Sequence, residues 1–261
     1  MLTGILRYRH FVLGAIASEY RSRYARSRLG LLWTVLHPLA QALTFAIVLS
    51  SVLEARLPGE VGRGAYPIYL LAGIAAWGLF SETVTRSMTV FIDYGSAIKK
   101  ISFPRLCLPM IVLGSALINH AILLLFTTVI CVVLGAGIGP HLLLIPIATV
   151  VIAGFGLGLG VFLGIMNVFV RDVSQVMTIV LQIWFWMTPI VYPASIIPAP
   201  YQFIVNLNPM TQLAAVYQDV FLRGEFPDPM LLLGPLLLSV ATVMMSFVLF
   251  RRASPEIVDA L

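Results

Sequence analysis

The hydrophobic and polar positions fall into long blocks, not a short repeat. Runs without Asp, Glu, Lys or Arg cover Leu29 to Leu53, Gly64 to Ser81, Leu106 to Val170, Val173 to Val191 and Pro229 to Phe250. About 20 apolar residues suffice for a helix to cross the hydrocarbon core of a bilayer. Glu82 and Arg86 close the second block, and the span is expected to run on through them. The third block is too long for one crossing, and Gly135-Ala-Gly-Ile-Gly-Pro140 breaks it in two. The pattern predicts an all-α integral membrane protein, a single transmembrane domain over 1–261. Its six spans fall at about 29–53, 66–90, 107–134, 142–168, 173–191 and 229–250.

Charge tests that count. With the N-terminus inside, the inner side holds the six arginines up to Arg28, then Lys99, Lys100, Arg105, Arg171, Arg251 and Arg252. The outer side holds only Arg56, Arg63 and Arg223, and Arg86 stays within span two. Cytoplasmic loops carry the excess of Lys and Arg. Removing any one span would invert everything after it and spoil the asymmetry, so both termini are expected in the cytoplasm.

Two segments fit neither a span nor a simple loop. Residues 4–20 predict a partly amphipathic helix in the membrane interface, with Tyr8, Val12, Ile16, Tyr20 and Tyr24 on one row. The outer stretch from Tyr192 to Asp228 is too apolar for an aqueous loop and too interrupted by Pro193, Pro198, Pro200 and Pro209 to span. Asn208 can cap a helix that starts at Pro209. That helix carries Leu213, Val216, Tyr217, Val220 and Phe221 on one face. Short re-entrant helices dipping into the outer leaflet are expected there.

Composition agrees. The chain is 60% hydrophobic and 10% charged, with a mean hydropathy of +0.99. A soluble domain carries roughly 25% charged residues, so this surface must face lipid. The net charge of +5 comes from basic residues beside apolar runs, which points to the anionic cytoplasmic leaflet and not to nucleic acid. Cys107 and Cys131 lie in apolar runs and read as packing residues. The apolar patch Phe11 to Ala17 is too short and too flanked by arginine for a cleavable signal peptide.

Chemistry-bearing motifs are few. Neither lysine follows a glycine, so no P-loop can form. No serine sits in Gly-x-Ser-x-Gly, and the histidines lack acidic partners at metal spacing. No catalytic or metal residue is expected. With almost no intramembrane acids, the chain also lacks the proton-coupling groups of a secondary carrier, so its energy must come from a partner. His120 reads either as a proton relay or as a packed histidine bonded to a neighbouring helix. Glu82 and Arg86 share one helix face; the intramembrane pair either serves function or orients helices. The loop Ile98 to Pro109 combines Lys99 and Lys100 with Phe103, Pro104 and Arg105, and suits either a docking partner or positive-inside anchoring. Trp77 and Phe80 in span two, with Trp184, Phe185, Trp186 and Tyr192 at span five, read as packing or as a path on which sugar faces stack.

Five segments together resemble the membrane subunits of polysaccharide-exporting ABC transporters. They are Arg21 to Leu39 at the entry to span one, Lys99 to Arg105, Asn167 to Val173 (N-V-F-V-R-D-V), Thr188 to Tyr192 (T-P-I-V-Y) and Asn208-Pro209. The resemblance implies a homodimer in the bacterial inner membrane, bound to two copies of an ATPase subunit that hold ATP and Mg. It implies export of a lipid-linked glycan such as O-antigen, capsule or teichoic acid. Lys99, Lys100, Phe103, Pro104 and Arg105, then Arg171 and Asp172, would meet the ATPase. Some of the aromatics would line the glycan path. The tail R-R-A-S-P-E-I-V-D-A-L departs from the family by its proline, which leaves its role open. The alternatives are an exporter of a small lipid or drug, or a membrane enzyme acting on lipid-linked sugars. The second needs a cluster of acids or histidines at one membrane face, and the sequence has none.

Overall fold

The computed structural model describes residues 8–24, 30–53, 65–100, 104–134, 139–254 and 256–257. Every element among them is helical. In order these are α1 (Arg9–Tyr24), α2 (Trp33–Leu53), α3 (Ala65–Asp93), the short α4 (Gly95–Lys100), α5 (Cys107–Val133), α6 (Leu144–Phe169) and α7 (Asp172–Met187). Then come α8 (Gln202–Leu207), α9 (Pro209–Gln218), a π-turn over Asp219–Arg223, and α10 (Met230–Ala253). Part of the expected interface segment, residues 4–7, lies outside the described residues.

Among the described residues, four helices are long and apolar enough to cross a membrane: Ala65–Asp93, Cys107–Val133, Pro140–Phe169 and Met230–Ala253. α3 does run unbroken through Glu82 and Arg86. α5 and α6 are separate, and a 3-10 turn over Pro140–Leu143 opens the second. The fifth expected span, 173–191, is shorter as a helix. α7 has 16 residues, about 24 Å at 1.5 Å per residue, against a core of about 30 Å. It stops because Pro189 has no N–H and forces its predecessor out of the helical region. Thr188 is accordingly extended, at φ −98° and ψ 131°.

α3 is the axis of the bundle. It is buried over most of its length and packs against α6, α5, α2 and α9. α6 is wedged between α3 and α10, and the run F-G-L-G-L-G-V-F-L-G explains how. Lipid supplies no hydrophobic drive between helices, so close contact depends on small residues. A Cβ on Gly160 would come within 2.7 Å of Ser87, one on Gly164 within 2.6 Å of the Ser87 carbonyl, and one on Gly158 within 2.6 Å of the backbone of α10. α1 lies on α5, where Ile16 fills the notch left by Gly114. The outer faces of α5 and α10 carry exposed Leu125, Val129, Leu237 and Met244, an apolar coat suited to lipid.

Candidate functional site

Among the described residues, three groups of polar side chains stand out inside this apolar bundle. The first joins α1, α3 and α5. Arg86 Nη1 donates to Glu82 Oε1 at 3.0 Å, and Nη2 pairs with Glu19. Asn119 Nδ2 donates to Glu82 Oε1 at 2.8 Å, and Ser115 Oγ donates to Glu19 Oε2 at 2.8 Å. Tyr20 Oη lies between Asn119 Oδ1 and the Ser115 carbonyl. Charges away from water are tolerable only when paired and further hydrogen-bonded, and each carboxylate here has both. The cluster fastens the peripheral helix to two core helices.

The second is the break after α7. Tyr66 Oη donates to the Val191 carbonyl at 2.8 Å, Tyr69 Oη to the Pro189 carbonyl at 2.9 Å, and Gln218 Nε2 to the Pro189 carbonyl at 3.0 Å. Asn208 Oδ1 accepts from Met210 N at 3.0 Å, the expected helix cap, and from Trp184 Nε1 at 2.8 Å. Asn208 Nδ2 donates to Thr188 Oγ1 at 2.9 Å. Non-helical backbone cut off from water must be satisfied by protein, and Tyr66, Tyr69 and Gln218 do that here. Above this site, burial raises the Asp219 carboxyl above the usual carboxylate range, with Arg223 beside it pulling it back.

The third is a trough along α3. A cavity of about 580 Å³ between α2, α3 and α5 is lined by Thr34, His37, Gln41, Ser81, Asn119 and His120, among others. A second, of about 330 Å³, is lined by Trp77, Thr85, Thr178, Gln182 and Phe185 and shares Gln41, Gly78 and Ser81 with the first. The six candidate path aromatics divide, and two of them line this trough. Trp77 and Phe185 face the second cavity, with ring centroids 5.7 Å apart. Phe80 is fully buried, stacked on Phe155 at 5.1 Å, and lines neither cavity. Trp184 spends its N–H on Asn208. Trp186 is exposed, edge-on to Phe45, and Tyr192 Oη donates to its carbonyl at 2.6 Å. His120 is buried, and its Nε2 lies 2.9 Å from Tyr217 Oη on α9.

The loop residues lie apart from these sites. Lys99 is exposed on α4, and Lys100 is the last residue of that helix. Phe103 lies outside the described residues. Pro104 is half-buried, and Arg105 turns its guanidinium to Ser254 after α10, reaching the carbonyl and, at 3.1 Å, Oγ. Arg171 and Asp172 are exposed between α6 and α7.

A family model described as ABC-2 type transporter matches residues 12–222. The chain belongs to the ABC-2 type transporter family. It is 27% identical over 259 residues to the O-antigen export system permease protein RfbA of Myxococcus xanthus, covering 98% of this chain and 97% of that one. It is 27% identical over 207 residues to a protein of the same name from Klebsiella pneumoniae, covering 79% and 78%. The polysialic acid transport protein KpsM of Escherichia coli is 33% identical over 70 residues, covering 27% and 26%.

In this ABC-2 transporter the sequence reading missed several polar residues that set the geometry. Asn167 is buried; its Nδ2 donates to the Met88 carbonyl at 3.2 Å, and its Oδ1 accepts from Ser174 N at 3.1 Å. It thereby fixes the turn that presents Arg171 and Asp172. Glu19, Asn119 and Gln218 were missed in the same way. A lone amide inside an apolar helix was the available signal, since such groups join helices across a membrane bundle.

Proposed function

We propose that this chain is the membrane-spanning subunit of an ATP-driven exporter that moves an O-antigen-like, lipid-linked polysaccharide across the cytoplasmic membrane. The observation that carries the reading is the end-to-end similarity to an O-antigen export permease, on an all-helical bundle. ATP and Mg are held by a separate nucleotide-binding subunit, because neither Lys99 nor Lys100 completes a P-loop. Two copies of each subunit form the complex. α2 and α7 supply the remaining crossings to make six, α8 and α9 re-enter the outer leaflet, and both termini face the cytoplasm of a bacterium.

The trough supports a specific path. Gln41, Ser81, Thr85, Thr178 and Gln182 offer hydroxyls and amides to sugar hydroxyls, while Trp77 and Phe185 offer ring faces. Trp186 lies outward, where a second copy would close the conduit. Phe80 and Trp184 serve as its wall. Lys99 to Arg105, with Arg171 and Asp172, receive the push when ATP draws the partner subunits together.

Polymer at the cell surface is the test. Cells lacking this chain should accumulate lipid-linked glycan inside, and reintroducing it with its ATPase should restore export. The same polymer reaching the surface without this chain would end the proposal.

A further inference from the structure

The tail after α10 is the one segment whose role the sequence left open. α10 ends at Ala253, Ser254 turns, and Glu256 and Ile257 are helical again. Ile257 follows the exposed pair Arg251 and Arg252, where a solvated tail would leave it wet. It is instead fully buried, 0% exposed. It shares one apolar cluster with Phe91 of α3, Ile98 of α4, Leu108 of α5, and Phe250 and Ala253 of α10. Nearby, Arg105 donates to the Ser254 carbonyl and Oγ. The last carbonyls of a helix lack intrahelical partners and favour a cation, so Arg105 is well matched to that end. An apolar contact and a polar one, formed by different residues, fasten the tail to both ends of the loop between α3 and α5.

α4 has only six residues, too few to be stable alone. Its position is set by what Ile98 packs against. We propose that Ser254 and Ile257 form a strap that holds Ile98 and Arg105, at the two described ends of the loop between α3 and α5, on the foot of α10, so that these residues and α10 move as one body. Ser254 and Ile257 are positioning residues in this scheme. The proposal rests on the reading above, in which this loop meets the ATP-hydrolysing subunit. A push on the loop then reaches α10 as directly as it reaches α3, and passes from both into α6.

Two measurements test the strap in the full chain. In membranes, an Arg105→Cys/Ser254→Cys pair should be joined by a short bis-maleimide, since native Cys107 and Cys131 are buried. Export by the joined protein should equal that of the same variant left unjoined, because the two ends do not part. Ile257→Asp should reduce joining, and in the complex it should lower polymer exported per ATP hydrolysed several-fold. Ile257→Leu should restore both. A purely structural role would lower chain recovery and export together and leave that ratio unchanged. Failure to join, export stopped by joining, or an unchanged ratio in Ile257→Asp would each overturn the strap. If the pair joins and Ile257→Asp abolishes joining, but the wild-type complex exports no polymer, the strap stands and the proposed function fails.

Discussion

Arg86 of α3 and Glu19 of α1 form an ion pair across 67 positions of sequence, and the same guanidinium holds Glu82 one turn away. The peripheral helix is therefore carried by α3 and α5 and must follow wherever they go.

Arg86 is the cation that Glu19 and Glu82 share. Arg86→Ala should destabilise the purified protein by about 2 kcal/mol, within the range for hydrogen bonds to a charged group. Glu19→Gln keeps an acceptor for Arg86 and turns its amide to the Ser115 hydroxyl, which can accept, and should cost about 1 kcal/mol. Thermal unfolding in detergent measures both. Equal costs would mean that charge is not what holds α1.

Asn208 is capped, capping and bridging at once. Asn208→Ala should cost about 2 kcal/mol, the loss of an N-cap in its upper range, and should free the Trp184 indole. Asn208→Asp keeps both acceptor contacts and loses only the donor to Thr188, so it should cost less. A protease placed against the segment 188–208 should cut the Ala variant fastest; identical cutting of all three forms argues against this pinning.

Gly164 and Gly78 make a contrasting pair. Gly164→Leu collides with the backbone of α3 and should cost about 3 kcal/mol or more, the upper end for overpacking. A Cβ at Gly78 meets nothing within 4 Å, and the residue lines both cavities of the trough. Gly78→Trp should leave the unfolding temperature alone while cutting export about tenfold or more, the effect of about 1.4 kcal/mol on the barrier. Unimpaired export would move the glycan path away from the trough.

Ser96 and Glu225 are both exposed, and the proposed topology puts them on opposite sides of the membrane. Ser96→Cys should label only from the cytoplasm and Glu225→Cys only from outside. Labelling of both from one side removes the six-crossing arrangement.

If Phe103 seats in the ATPase, Phe103→Ala should weaken partner recovery by about 2 kcal/mol, as truncating a hot spot does. Ala at Lys99 and Lys100 should weaken association mildly and make it less salt-sensitive, since rim charges chiefly steer encounter. Full recovery and normal export by Phe103→Ala would shift the contact to Arg171 and Asp172.

Much of the fold was legible because lipid enforces a coarse rule: charge-free runs of sufficient length become helices. That rule gave α3, α5, α6 and α10, and local chemistry gave the Asn208–Pro209 cap. It overextended span five, because a composition window passes over Pro189 while the backbone cannot. The polar sites were harder to read. Glu19 looks like any interface-helix carboxylate until α3 brings Arg86 to it, and Ile257 looks like one stray aliphatic until α4 supplies Ile98. The aromatic cluster was foreseeable from composition, but the division between wall and lining depends on rotation of α3, which put Phe80 inward and Trp77, about 60° round the helix, against the second cavity.

The glycine row on α6 also sets an order of manufacture. Gly158 rests on the backbone of α10, a helix synthesised long after α6 has left the ribosome. Chains fold progressively from the N-terminal side during synthesis, so α6 can close on α3 early, yet its opposite groove stays open to lipid until α10 arrives. A nascent subunit stalled in the segment 200–228 therefore has the Gly158 side of α6 still uncovered.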